Sequence, residues 1–574
     1  MADEFDLLPR PRRIARAAGV LALAPDGTVP ASAGPDERID AGAAGIPEEG
    51  YRLVVTPDRV TIEARDRAGA FYARRTLAQL VRTHAARGAV PAMTVDDAPD
   101  FRERGVMLDV SRDKVPSMAT LYRLVDELAS WKINRLQLYI EHTFAYRGHK
   151  TVWAHASPLT GDEVEALDAY CRERFIELVP NQNSFGHMER WLKHPEYADL
   201  AEVREAVGDY MSLCPIDPRA IPFLAGLYDD LLPHFSSRSF NVGCDETIDL
   251  GKGRSREAVE RLGRGRVYLD FLKQIHALVT ARGHRMQFWG DIVFEHPELI
   301  PELPKDLTAL EWGYEASHPF EVQGAKFGEA GIEYQVCPGT STWLSLAGRT
   351  TNALGNLDAA ARAGLGNGAS GMLITDWGDF GHWQPLPVSY LGLAYGASVA
   401  WGHAANRDLD VAYALDTHVF RDRASTLGGI ARDLGDVYRE TGVEVKNSSV
   451  LALLLLFPER PMGEGRLAGL TVEGLERADA RTASLASRIG DARCDRDDAA
   501  LLRDEFTLAA SLMRLACAFG IARLTGSDPR AAIARDLPAL IDDYRRIWRL
   551  RNREGGLSDS TARLERLRGQ SPFS

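Results

Sequence analysis

The stretch Arg104-Gly-Val-Met-Leu-Asp-Val-Ser-Arg112 carries an apolar run, Gly105–Val110, broken only by Asp109 and closed by polar residues. Seven more runs of this kind follow: Arg135–Ile140, Ile176–Pro180, Phe240–Cys244, Met286–Trp289, Ala309–Trp312, Glu333–Cys337 and Met372–Thr375. Amphipathic segments such as Met118–Trp131 and Val267–Arg282 separate them. A strand buried on both faces reads as a continuous apolar run, and parallel neighbours need a helical crossover. Eight such units predict an α/β protein with a (β/α)8 barrel. An open doubly wound sheet is the rival arrangement, but the Gly-rich dinucleotide turn it often carries is absent after the first run.

Outward from the barrel, assigned to residues 99–403, the texture changes on both sides. Residues 1–98 predict a small α+β domain. Tyr51–Thr56 and Arg59–Ala64 alternate apolar with polar, as half-buried strands do, and a helix from Ala68 to Thr83 aligns Phe71, Leu77 and Leu80. Residues 404–574 read as a helical C-terminal region, with Val450–Phe457 as a buried helix. That region suits either a seal on the barrel or a homodimer interface, and the sequence leaves both open.

Composition narrows the function. The 574 residues call for two or three domains, and a net charge of −13 without a basic tract argues against a nucleic-acid partner. The acidic opening Met1–Asp6 leads into no apolar stretch of signal type, and no run approaches the roughly 18 to 20 apolar residues of a membrane span. No membrane partner is expected. Six scattered cysteines without a CxxC pair predict reduced thiols in a cytoplasmic protein.

Catalytic residues of such a barrel belong at the C-terminal ends of its strands. There the sequence places carboxylates and a Trp on each of the last four runs: Trp289, Trp312, Trp343 and Trp377. A single Trp is ordinarily core, and four could all be packing at the barrel mouth. Flat indoles beside carboxylates are also what a carbohydrate pocket requires. Asp245-Glu246 could cap a helix. It ends the run Phe240–Cys244, however, where a turn lets both carboxylates reach one pocket. Adjacent acids cannot easily flank a scissile bond as an acid and nucleophile pair must. They suit one proton-transferring acid beside one orienting acid, with the substrate supplying the nucleophile. His142, His149, His155, His187 and His194 share one stretch but lack zinc-site spacing, so neither a metal nor a cofactor is expected.

At these residues the chain resembles glycoside hydrolase family 20, from about Gly69 to Trp401. Gly69–Ala78 resembles the helix of the family's N-terminal domain, Arg104–Asp109 its first barrel strand, and Asn241-Val-Gly-Cys-Asp-Glu246 its catalytic His-x-Gly-Gly-Asp-Glu motif. Ser184-Phe-Gly-His-Met188 and Gly251-Lys-Gly-Arg-Ser255 are closer to a hexosaminidase D-like branch, a likeness that points to tolerance of GalNAc. The resemblance implies a retaining exo-β-N-acetylhexosaminidase acting on small or oligosaccharide substrates with a terminal 2-acetamido sugar. Its mechanism would be substrate-assisted, through an oxazolinium intermediate. Asp245 would orient the acetamido group and Glu246 would serve as general acid and base. Arg104, His187 and Asp379 would bind substrate, the Trp residues would wall in the sugar, and Tyr314 would donate to the acetamido oxygen. The family's His and second Gly are here Asn241 and Cys244, and its Pro-Glu-Ile-Asp segment appears as Pro180-Asn-Gln-Asn183. Amides thus stand where acids would tune the proton donor. A non-catalytic carbohydrate-binding protein and a metal-dependent barrel hydrolase are the alternatives.

Overall fold

A computed structural model of the chain describes residues 7–42, 45–206 and 211–569. The acidic opening Met1–Asp6 lies outside the described residues. Five strands form the N-terminal sheet: β1 (Arg13–Ala22), β2 (Asp36–Ile39), β3 (Tyr51–Val55), β4 (Val60–Ala64) and β5 (Ala89–Asp97), in the order β1-β5-β3-β4-β2. Leu53, Val55, Val60 and Ile62 bury the face against which the helix Arg67–His84 lays Phe71, Leu77 and Leu80. Asp66 caps that helix by accepting the Gly69 N–H at 2.8 Å. β1, β2 and β5 have no counterpart among the sequence-predicted strands. β1 and β2 are largely exposed and so lack the apolar alternation that marks a strand.

Eight parallel strands build the barrel: β6 (Glu103–Asp109), β7 (Arg135–Tyr139), β8 (Glu177–Val179), β9 (Ser239–Asn241), β10 (Arg285–Trp289), β11 (Thr308–Trp312), β12 (Glu333–Cys337) and β13 (Gly371–Asp376). Each overlaps one of the eight apolar runs. A parallel bridge between Asn181 and Asn241 joins the ends of β8 and β9 and closes the ring. Inside, the side-chain amides of Gln137, Asn181, Asn241 and Gln287 are linked by hydrogen bonds of 2.9 to 3.1 Å, with the Asn181 side-chain oxygen buried and unpartnered.

The C-terminal region is helical and packs on the barrel. Val450–Leu456 is buried throughout. Ala499–Thr525 is long and apolar enough by composition to cross a membrane, which departs from the expectation that no segment would be; 72% of its apolar window is buried within the fold. Arg551 meets Glu505 bidentately at 3.0 and 2.8 Å and Asp498 at 2.9 Å. The Ser117 N–H donates to the Arg551 carbonyl at 2.9 Å and the Arg553 N–H to the Val115 carbonyl at 2.8 Å. These bonds clamp the C-terminal helices onto the loop that follows β6.

Candidate active site

The turn after β9 brings the two acids together. Gly243 (φ +68°), Cys244 (φ +73°) and Glu246 (φ +47°) adopt left-handed backbone, which cancels the strand's two-sided alternation. At Gly243 a Cβ would lie 2.5 Å from the Asn183 side-chain oxygen. At Gly186 a Cβ would lie 2.1 Å from the Asp245 carbonyl oxygen, so the loop carrying His187 approaches Asp245 only because that residue is glycine.

His187 Nε2 sits 3.3 Å from Asp245 Oδ2 and 3.3 Å from Glu246 Oε2. Burial disfavours the imidazolium, but the Asp245 charge and the hydrogen bonds to both carboxylates outweigh it and raise the His187 pKa well above the usual value. Burial likewise works against the Asp245 carboxylate. His187 and a 3.2 Å hydrogen bond from the Asn183 amide overcome that and leave the Asp245 pKa lowered. Asp245 is therefore the fixed anion of the pair. Glu246 remains 32% exposed at the side chain, open to a ligand, and its N–H donates to Asp291 Oδ2 at 3.1 Å.

A second layer surrounds this centre. Arg112, after β6, approaches Asp109 Oδ2 and Glu141 Oε1 at 3.3 Å each, and its guanidinium lies over the rings of Tyr139 and Trp377 at 4.6 and 5.1 Å. Its Nη2 faces His187 Nδ1 at 3.5 Å. Tyr139 donates to Glu141 at 3.0 Å and accepts from Asn183 at 3.1 Å. Burial pushes three carboxyls up, against the pull of Arg112 for the first two: Glu141 to about 7, Asp379 to about 6, and Asp291, beside the Asp245 charge, to about 8.

Of the residues singled out in the sequence, Asp245, Glu246, His187 and Asp379 converge, and Trp377 joins them through Arg112. Trp377 also packs 6.0 Å from Trp289 and donates its indole N–H to the Tyr314 hydroxyl at 2.8 Å. Tyr314 stacks on Trp312 at 5.1 Å, and these two with Asp291 line a cavity of about 350 Å³. Trp343 stands one layer back. It is 1% exposed, packs edge-on to Tyr314 and donates to Asn447 of the C-terminal region at 2.9 Å. Arg104 does not reach the mouth. It lies at the opposite end of β6, fully buried, bonded to the carbonyls of Lys132 and Phe101 and paired with Glu49 at 2.5 Å. The seven-residue strand carries the chain across the barrel, so the arginine at the mouth is Arg112. Asn241 bonds to Gln137 inside the barrel and does not touch Glu246. Arg112, Glu141 and Asp291 stand at strand ends in the sequence but were assigned no role there. The signal for them was available, because each follows the C-terminal end of a strand.

Among the described residues two groups bring three ligand atoms within 4.8 Å of one another: His187, Asp245 and Glu246, and Glu141, His187 and Glu189. The first is the hydrogen-bonded centre itself. A cavity of about 480 Å³ opens from Glu246, His187, Arg112 and Asp379 toward the protein surface. The indole N–H of Trp289, Asp291 Oδ1 and Glu189 Oε2 are buried without hydrogen-bond partners. Two flanking cavities, an aromatic wall and unsatisfied polar atoms suit a hydroxyl-rich ring with an acid poised beside it.

Residues 101–387 match the family described as "Glycosyl hydrolase family 20, catalytic domain", and residues 16–98 match "Glycosyl hydrolase family 20, domain 2". A β-hexosaminidase of Akkermansia muciniphila is 28% identical over 284 residues, 43% of this chain and 57% of that protein. Human hexosaminidase D is 25% identical over 228 residues, 38% of this chain and 46% of its own length. The chain spans about half the length of these curated relatives. Among solved structures, the exo-β-N-acetylglucosaminidase of Vibrio harveyi in complex with N-acetylglucosamine has a TM-score of 0.59 at 18% identity, covering 73% of this chain and 77% of that one; at that identity the likeness bears on the fold.

Proposed function

Because this chain belongs to glycosyl hydrolase family 20, we propose that it is a retaining exo-β-N-acetylhexosaminidase releasing terminal β-linked GalNAc or GlcNAc from oligosaccharides or small glycosides. The observation that carries the reading is the pair itself: two adjacent carboxylates turned to one histidine, one held as an anion and the other open to a ligand.

Adjacent acids leave no room for a carboxylate nucleophile on the far face of the sugar, so the substrate supplies it. The carbonyl oxygen of the 2-acetamido group attacks C1 as the bond from C1 to the leaving oxygen breaks. Glu246 protonates that oxygen, and an oxazolinium ion remains. Asp245 accepts the acetamido N–H and offsets the charge that develops there. Water then gives a proton to Glu246 while its oxygen bonds to C1 and the acetamido oxygen departs. Two inversions give net retention. Tyr314, whose oxygen already accepts from Trp377, keeps its own proton for the acetamido oxygen. Trp289, Trp312 and Trp377 enclose the sugar, with Trp343 supporting Tyr314. Arg112 and Asp379 take the outer hydroxyls, Arg112 in the role expected of Arg104. The match to human hexosaminidase D and the motif Ser184–Met188 support a place near that branch. Six free thiols support a cytoplasmic setting.

An aryl-glycoside panel of β-GlcNAc, β-GalNAc, β-glucoside and β-galactoside tests the reading, with wild type and Glu246→Gln. Turnover confined to the two acetamido sugars, and a loss of about 10²-fold or more in Glu246→Gln on poor leaving groups, is expected. Equal turnover of sugars lacking the acetamido group rules the mechanism out.

A further inference from the structure

Lys114, on the loop after β6, is buried, and among the described residues no carboxylate lies within ion-pair distance of it. Its Nζ donates to the Gln384 carbonyl at 3.0 Å and sits 5.1 Å from the centroid of the Trp548 ring. Burial lowers its pKa to about 7, and the charges of Glu505 and Asp376 offset that only in part. Both acids are engaged elsewhere: Arg551 holds Glu505, and Asp376 accepts from Thr340, Thr342 and Ser389. A buried lysine without a paired carboxylate costs stability, so an apolar side chain of the same shape would serve the fold better.

What the lysine supplies is an N–H at one end of the loop after β13. Gln384, whose carbonyl it meets, donates its own side-chain amide to the Trp377 carbonyl at 2.7 Å. The Gly378 N–H donates to Asp109 Oδ2 at 3.0 Å, and the Trp377 indole N–H reaches the Tyr314 hydroxyl. The segment 377–384, which carries Trp377 and Asp379, is therefore tied at both ends to the loop after β6. Between the ties Phe380 (φ +58°) and His382 (φ +51°) hold left-handed backbone, which persists only where the surroundings enforce it. Behind Lys114 stands the C-terminal region. Glu505, Tyr544, Trp548 and Arg551 line a cavity of about 30 Å³ together with Lys114 and His382, and the Trp548 indole N–H is fixed on the Arg553 carbonyl at 2.7 Å.

We propose that Lys114 is a positioning residue: through Gln384 it holds Trp377 and Asp379 in the geometry that binds the sugar, and the C-terminal helices hold Lys114. This role rests on the reading of the barrel mouth as a hexosaminidase site. The amine has an N–H for the Gln384 carbonyl in either protonation state, so the tie does not depend on its charge. The C-terminal region thereby becomes part of the scaffold of the active site.

The test uses the full chain and the p-nitrophenyl β-glycosides of N-acetylglucosamine and N-acetylgalactosamine. Lys114→Met is expected to raise KM about tenfold with kcat within about threefold of wild type. Its Tm should stay at or above wild type, because an unpaired buried amine has been removed. Gln384→Leu, which cuts the next link, should raise KM to a similar degree, and Lys114→Arg, which keeps a donor, should recover part of the loss. In an Asp379→Asn background Lys114→Met should add less than about twofold to KM, since the two changes act through one loop. A wild-type KM in Lys114→Met, or a KM rise that multiplies in full with that of Asp379→Asn, overturns the role. A Tm lowered by several degrees, or a failure to fold, makes the lysine a structural residue and overturns it too. Wild type inactive on both glycosides removes the hexosaminidase reading itself, and the role of Lys114 with it.

Discussion

His187 Nε2 lies 3.3 Å from Glu246 Oε2 and at the same distance from Asp245 Oδ2, so one ring nitrogen addresses both acids of the pair. A ring that helps Glu246 move a proton should matter most where the leaving group needs that proton. His187→Gln is expected to lower kcat/KM by roughly 10- to 100-fold on alkyl or sugar leaving groups and by much less on nitrophenyl ones. The dependence of rate on leaving-group pKa measures this. A uniform loss across leaving groups would leave the ring a positioning role only.

Asp379 should give the enzyme an acid-side limb in KM. Burial raises its carboxyl from 3.8 to about 6 against the pull of Arg112. Below that pH it is neutral and loses the charge with which it accepts hydroxyl hydrogens, so KM should fall roughly tenfold as pH rises through about 6. In Asp379→Asn the slope should disappear, with KM fixed near its acid-side value. Initial-rate curves from pH 5 to 8 decide the matter, and a variant that keeps the slope assigns the limb to another group.

The two arginines of the first strand should separate cleanly. Arg112→Met is expected to raise KM by about tenfold or more through loss of charged hydrogen bonds at the mouth. Arg104→Met should lower thermal stability, by about 2 kcal/mol or more, because it strips Glu49 and two buried carbonyls of their partner. Its KM should stay near wild type. A KM effect of Arg104→Met larger than that of Arg112→Met would reverse the assignment.

Chelation tests the remaining chemistry at the pair. His187, Asp245 and Glu246 have metal-ligand spacing, but the proposed reaction uses them as proton carriers and anion. Overnight dialysis against a strong chelator should leave activity within about twofold, and added Zn²⁺ should inhibit by occupying those atoms. Activity lost on dialysis and restored by a divalent ion favours a metal-dependent hydrolase instead.

The barrel was legible from the chain alone because strands buried on both faces must be apolar throughout, and each of the eight runs overlaps a strand. The Asp245-Glu246 pair was legible for a related reason: a polar dipeptide at the end of such a run has only the barrel mouth to occupy. The exposed strands β1 and β2 left no such mark, since both of their faces are largely open to solvent and neither needs apolar residues. Tertiary structure decided which arginine faces the mouth. Arg104 and Arg112 differ only in lying at opposite ends of one strand, and motif likeness alone does not say which end meets the substrate. It also decided that Asn183 and His187, from the loop after β8, complete the pair, and that Asp559 and Arg563 stand beside it. Those contacts join residues far apart in the chain, and only packing of the last helix on the barrel brings their side chains to one cavity.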